Sequence, residues 1–165
     1  MINVLTRLNE KYSNYTYVFT GHSMGAAVSN MACMDAVMSG TVDGRKTKMY
    51  NFGQPRVGNK AYAEFLESEV SEIYRVNHHR DLWTHIPPCV EDLSLGRKLF
   101  TCKSEGDFFY YPWQTGSEVF YDSEESSYRV CKNAEDYTCS NKYFFFSPSY
   151  HDEYLGVSFS TSWKK

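Results

Sequence analysis

Residues 15–27 read YTYVFTGHSMGAA, and the fold turns on this stretch. Residues 15–20 are β-branched, aromatic or both classes in alternation, which predicts a buried strand. From Met24 the apolar residues Met24, Ala27, Val28, Met31, Met34 and Met38 recur at helical period, and Gly40 marks the end of that helix. Between strand and helix stands Gly21-His22-Ser23-Met24-Gly25, a G-x-S-x-G sequence. The bare pattern arises by chance in roughly a few per cent of chains this long. Its position at a strand–turn–helix junction is what a nucleophile elbow requires. Such a turn strains the serine and lifts its Oγ above the sheet edge, where side chains at positions 21 and 25 are expected to collide. The N-terminus of the helix then aims free N–H groups at a developing oxyanion, with the Met24 N–H as the first donor.

Working outward, Ile2, Leu5, Leu8 and Tyr12 fall at helical spacing and predict an opening amphipathic helix. Residues 47–52 predict a second strand and residues 61–70 a helix capped by Asn59. Residues 73–77 predict a third strand. Strand–helix–strand–helix–strand means parallel pairing with right-handed crossovers, an α/β architecture. After Pro88 the pattern turns irregular and aromatic-rich, with short strands expected at 108–111 and 118–121.

The chain has 165 residues, enough for one domain with a real core, and a net charge of −3 that offers no basic surface to nucleic acid. Aromatics make up 17 %, which fits a sheet-rich core or a greasy binding face. The cysteines are Cys33, Cys89, Cys102, Cys131 and Cys139. None shows the CxxC spacing of a zinc site. Disulfides 131–139 and 89–102 are the natural pairing, with Cys33 an inert thiol on a buried helix. The sequon Asn14-Tyr15-Thr16 agrees with a secretory route. Residues 1–14 hold no apolar run of the kind a signal peptide needs, and no stretch approaches a membrane span. An oxidising-type cysteine set without an export signal leads us to expect a chain that lacks its N-terminal part.

A serine hydroxyl needs a histidine to take its proton, and the histidine needs a carboxylate to hold its tautomer. In this fold class the chain order is serine, acid, histidine. Asp81 follows the third strand at the carboxyl edge, where such sheets place their sites, whereas Asp35, Asp43 and Glu64 fit worse. His22 lies inside the elbow, and His78, His79 and His85 share the loop of Asp81. That leaves His151 as the base. Clustered His78, His79, Asp81 and His85 read as a solvated loop rather than a metal site. No metal and no cofactor is expected, since a serine triad needs none.

Four blocks, VFTGHSMGAAVSNMA, YNFGQPRVGNKAYAEFL, YRVNHHRDLWTHIPP and SYHDEYLG, resemble in order and spacing the fungal-type class 3 lipases. Asn51 to Asn59 form the most specific block. Residues 89–145 match only loosely, with a cysteine pattern like that of the secreted nematode branch. The resemblance implies an α/β-hydrolase fold and an acyl-enzyme mechanism. It maps the nucleophile onto Ser23, the acid onto Asp81, the base onto His151 and one oxyanion donor onto Met24. It also places the loop from Trp83 to Pro88 beside an acyl pocket. Met24 stands where the family usually has leucine, a volume-conserving change.

By this resemblance the substrate is a lipid ester at an oil–water or membrane interface, and the full-length protein is secreted. Residues 1–165 are expected to form a partial catalytic domain, without the N-terminal strands, lid and second oxyanion donor of the family. Such a polypeptide alone should be poorly soluble and weakly active or inactive. Two other readings stay open: a lipid-binding relic that keeps the triad, and an aryl or feruloyl-type esterase on the same scaffold.

Overall fold

A computed structural model describes residues 1–88, 112–122, 127–143 and 145–159. The elements are α1 (Ile2–Lys11), β1 (Tyr17–His22), α2 (Met24–Met38), β2 (Thr47–Phe52), α3 (Lys60–Glu69), β3 (Glu72–His78), β4 (Ser117–Tyr121), β5 (Tyr128–Val130), β6 (Glu153–Tyr154) and β7 (Val157–Ser158). β1 to β5 make one sheet in chain order, and β6 and β7 a separate two-stranded ribbon. Pairings β1–β2, β2–β3 and β3–β4 are parallel, and β5 closes the sheet antiparallel to β4. The expected α/β-hydrolase architecture is therefore present. The expected strand at 108–111 lies outside the described residues.

The sheet's core lies on the face that carries both crossover helices. Cys33 and Met34 of α2, Met49 of β2, Leu66 of α3, Val70 and Ile73 form one buried cluster, with Phe19, Val37 and Tyr62 packed against it. α3 starts where the sequence places it, because the Asn59 side chain accepts a hydrogen bond from Tyr62 N at 2.9 Å. Cys33 is fully buried, and desolvation pushes its thiol up to about 12, so it is an inert core residue.

Two sequence expectations are corrected here. Among the described residues β1 pairs only with β2, and none of its residues is fully buried. Phe19 faces the core while Val18 is 57 % exposed on the other side. The apolar stripe of α2 is also split: Met34 is buried, but Met24, Val28, Met31 and Met38 are exposed, while Ala26, Ser29, Asn30, Cys33 and Ala36 fill the inward face. The physical reason is close approach. Small residues let the helix lie against the strands, and Asn30 is satisfied inside by Tyr62 Oη at 2.7 Å. α1 forms as expected, yet buries none of its residues.

Polar residues build the second half. Arg56, in the turn after β2, donates to both oxygens of Glu135 at 2.8 and 2.9 Å, and to the His85 carbonyl at 2.6 Å. Arg75 of β3 is fully buried and donates to the carbonyls of Thr115 and Ala134 at 2.9 and 2.8 Å. Glu118 lies buried alongside and accepts from Ser140 N at 3.0 Å. The Cys131–Cys139 disulfide, as expected, sits in a small second cluster with Phe120 and Tyr143. Cys89 and Cys102 lie outside the described residues.

Burial alone raises the Glu135 carboxyl, but the charge and hydrogen bonds of Arg56, with Asn141, outweigh it and hold the group below its ordinary value. A folded value below the unfolded one gives stability that is complete above the ordinary carboxylate range and is lost as pH falls through the folded value. Arg56→Met leaves that charge uncompensated and should destabilise the fold by about 3–5 kcal/mol in urea titrations near neutral pH. The deficit should shrink as the pH is lowered and Glu135 is protonated. An equal deficit at all pH values would contradict this account of the pair.

Candidate active site

The parallel register aligns the carboxyl ends of three strands. His22 pairs with Phe52, and Phe52 with Val76, so the residues after β1, β2 and β3 emerge side by side. Ser23 follows β1 with φ 60° and ψ −131°, a conformation L-residues rarely adopt, and α2 starts at the next residue. The turn closes through Ser23 N to Phe52 O at 3.0 Å and Ala26 N to Ser23 O at 3.0 Å. A Cβ at Gly21 would come within 2.7 Å of Ala26 N and nearer still to the Gly25 carbonyl, so strand and helix touch backbone to backbone there. Gly25 differs from expectation: a Cβ there meets nothing within 4 Å among the described residues. The Met24 N–H, at the first helical position, has no acceptor within the helix.

Asp81 and His151 come together across 70 residues of chain. Asp81 lies just past β3, and His151 ends a short 3-10 helix, Pro148–His151, whose Ser147 side chain caps Ser149 N. The two loops are stitched by Ser147 N donating to Arg80 O at 2.9 Å. Nδ1 of His151 donates to Asp81 Oδ2 at 2.8 Å, with Asp81 1 % and His151 6 % exposed. Trp83 N donates to the other carboxylate oxygen, Oδ1, at 2.8 Å. Nε2 of His151 has no hydrogen-bond partner among the described residues. Gly53, at φ 56°, makes room for the ring: a Cβ there would stand 3.0 Å from His151 Cε1 and Nδ1.

Three neighbours to which the sequence assigned no part in the site pack around this pair. Tyr154 donates its hydroxyl to Asp81 Oδ2 at 2.6 Å. Burial, then the Asp81 charge, raises its phenol well above the ordinary value, so it stays a donor. His22 contacts the His151 backbone carbonyl through Nε2 at 2.9 Å, its ring 4.5 Å from that of His151. Burial lowers its pKa, which favours a neutral ring donating from Nε2. His78 Nδ1 reaches the Glu153 carbonyl at 2.7 Å. Tyr154 lies within a quoted block, but no spacing rule marks such a second partner.

The loop histidines part company. His79 pairs with Asp122 at 2.9 Å, and His85 packs on Phe146 with ring centres 4.0 Å apart. With His78 on backbone carbonyls and Asp81 on His151, the four do not converge on one point. Trp83 lies beside the site, its ring 5.5 Å from that of His151 and 41 % exposed.

A parallel sheet with a strand–serine–helix elbow, and a hydrogen-bonded acid and histidine at the same edge, defines the α/β-hydrolase class. The profile of the class 3 lipases, "Lipase (class 3)", matches residues 1–91. This chain belongs to that family. A lipase of Caenorhabditis elegans is 38 % identical over 84 residues, which are 51 % of this chain and 24 % of that protein. The secreted mono- and diacylglycerol lipase 1 of Fusarium solani is 37 % identical over 76 residues, 46 % of this chain and 22 % of the relative.

Among solved structures, the lipase of Rhizopus microsporus var. chinensis superposes with a TM-score of 0.76 at 26 % identity, covering 94 % of this chain and 49 % of that one. A triacylglycerol lipase whose catalytic centre is described as a serine protease triad gives 0.76 at 25 % identity, covering 96 % and 54 %. The chain thus spans about a quarter of the curated relatives and about half of the solved structures it matches.

The two elbow glycines should separate on mutation. Gly21→Ala must push strand and helix apart and should cost about 1–3 kcal/mol or more in thermal or denaturant unfolding. Gly25→Ala should be neutral or stabilise by about 0.5–1 kcal/mol, since alanine is the better helix residue. Equal destabilisation by both would contradict the packing described.

Proposed function

We propose that Ser23, His151 and Asp81 act as nucleophile, general base and orienting acid in hydrolysis of carboxylic esters of lipids by the protein that contains this chain. The Asp81–His151 hydrogen bond, at the sheet edge that carries the Ser23 elbow, is the observation that supports this most. With Nδ1 bound to Asp81, the lone pair of Nε2 is the one free to take the Ser23 proton. Ser23 Oγ then attacks the acyl carbonyl, and the Met24 N–H stabilises the oxyanion. Collapse expels the alcohol, which takes its proton from His151. Water, deprotonated by the same ring, hydrolyses the acyl-enzyme, and Ser23 recovers its proton.

A lipid substrate is favoured by the exposed apolar side chains on the elements of the site, Met24, Trp83 and Leu155, and by the names of the relatives. The Cys131–Cys139 disulfide supports a secreted protein. Among the described residues, no helix is long and apolar enough to cross a membrane.

The test is turnover of long-chain triacylglycerols, short-chain esters and feruloyl esters by the wild type and three variants. Ser23→Ala should lower kcat by about 10⁶-fold. His151→Ala should act similarly, and Asp81→Asn should cost about 10⁴-fold by favouring the wrong tautomer. Undiminished turnover in Ser23→Ala would sink the mechanism, and a preference for feruloyl esters would move the substrate to the aryl class.

A further inference from the structure

The sequon Asn14-Tyr15-Thr16 is not used by the site, and its surroundings are unusual. Residues 13 and 14 form a turn between α1 and β1, with both Asn14 and Thr16 exposed. Two contacts fix the turn: Tyr15 N donates to Tyr12 O at 3.0 Å, and Lys46 Nζ to Ser13 O at 3.2 Å. The Asn14 amide makes no hydrogen bond to another described residue and stands free in solvent.

Beside it lies an aromatic shelf. Tyr12 and Tyr15 meet edge to face with ring centres 5.1 Å apart, and Tyr15 is 65 % exposed. Together with Leu8, Thr16 and Tyr17 they line an open concavity of about 420 Å³. Exposed tyrosine faces suit the C–H face of a pyranose ring, which carries slight positive charge toward the negative π-face.

We infer that Asn14 is an N-glycosylation site whose first sugars lie on the Tyr12–Tyr15 shelf. In the reaction, Asn14 Nδ2 forms a bond to the anomeric carbon of a lipid-pyrophosphate-linked oligosaccharide. The bond from that carbon to the pyrophosphate oxygen breaks, the electron pair leaves with the lipid pyrophosphate, and the amide gives up one proton. Thr16 supplies the hydroxyl that the sequon demands. The glycan solubilises an apolar part of the surface.

This inference rests on the secretory reading, and the experiment separates the two. The chain, placed behind a cleavable leader, is translated into microsomes, and import is verified by protease protection. Imported wild type should show one slower species that peptide-N-glycosidase collapses, with Asn14 converted to Asp in the peptide mass spectrum. The shift should vanish in Asn14→Gln and Thr16→Val and persist in Thr16→Ser. Imported, unglycosylated wild type would overturn the site. The secretory reading fails separately, if Cys131 and Cys139 are reduced in the protein from its native source.

For the shelf, enzymatic deglycosylation should lower the melting midpoint of the wild type. That drop should be abolished in Tyr12→Ala and in Tyr15→Ala, both still glycosylated. An undiminished drop in both variants would overturn the stacking.

Discussion

Ser23 is held at positive φ because β1 and α2 touch backbone to backbone at Gly21 and Ala26, and the remainder of the site is arranged around that contact. A strained residue costs on the order of 1–3 kcal/mol and persists only where its surroundings leave no alternative. Here the hydrogen bond from Ser23 N to Phe52 O ties the elbow to the neighbouring strand, and the parallel register carries the constraint onward. Gly53 follows Phe52 and leaves the slot for the His151 ring. Asp81 follows β3 and reaches the same ring. One close approach between a strand and a helix thereby sets the edge that carries the Ser23 elbow and at which Asp81 and His151 meet.

Holding that edge together is work for buried polar groups rather than for a second hydrophobic core. Arg56 ties the turn after β2 to Glu135 and to the carbonyl of His85, in the loop that follows Asp81. Arg75 binds β3 to the segments around Thr115 and Ala134. Buried ion pairs add little net stability against a hydrophobic substitute, but losing one partner is costly. Such pairs suit a region that must adopt one arrangement. The Cys131–Cys139 bridge closes only a short loop, so its entropic contribution of about 2.5 kcal/mol is at the lower end of the usual range.

Much of the first half was legible in the sequence because its elements follow simple periods. The bounds of α2 and β2 match the apolar pattern, and Asn59 caps α3 as its type and position suggest. Burial was less legible. The methionines of α2 define a clear helical stripe, but only Met34 of them is buried, and the helix turns mainly small and polar residues inward, where Ala26 meets the strand and Asn30 meets Tyr62. β1 reads as buried from its composition, yet none of its residues is fully buried among the described residues. The second half resisted because charged residues occupy interior positions. In β4, Glu118 and Phe120 face inward together, and Arg75 does the same in β3, so the usual alternation is disguised. Asp81 and His151 were found by chain order and elimination, whereas Tyr154, His22 and His78 needed the coordinates, since their partners are backbone carbonyls or an acid far along the chain.

The central claim is that the elbow presents Ser23 as a nucleophile activated by His151. Its most direct measurement is peptide mapping after exposure of the folded protein to a fluorophosphonate probe. The account predicts a single adduct on Ser23 that forms in the wild type and is absent when His151 is replaced by alanine. A folded wild type that stays unmodified, or an adduct on another serine that survives the loss of His151, would contradict it.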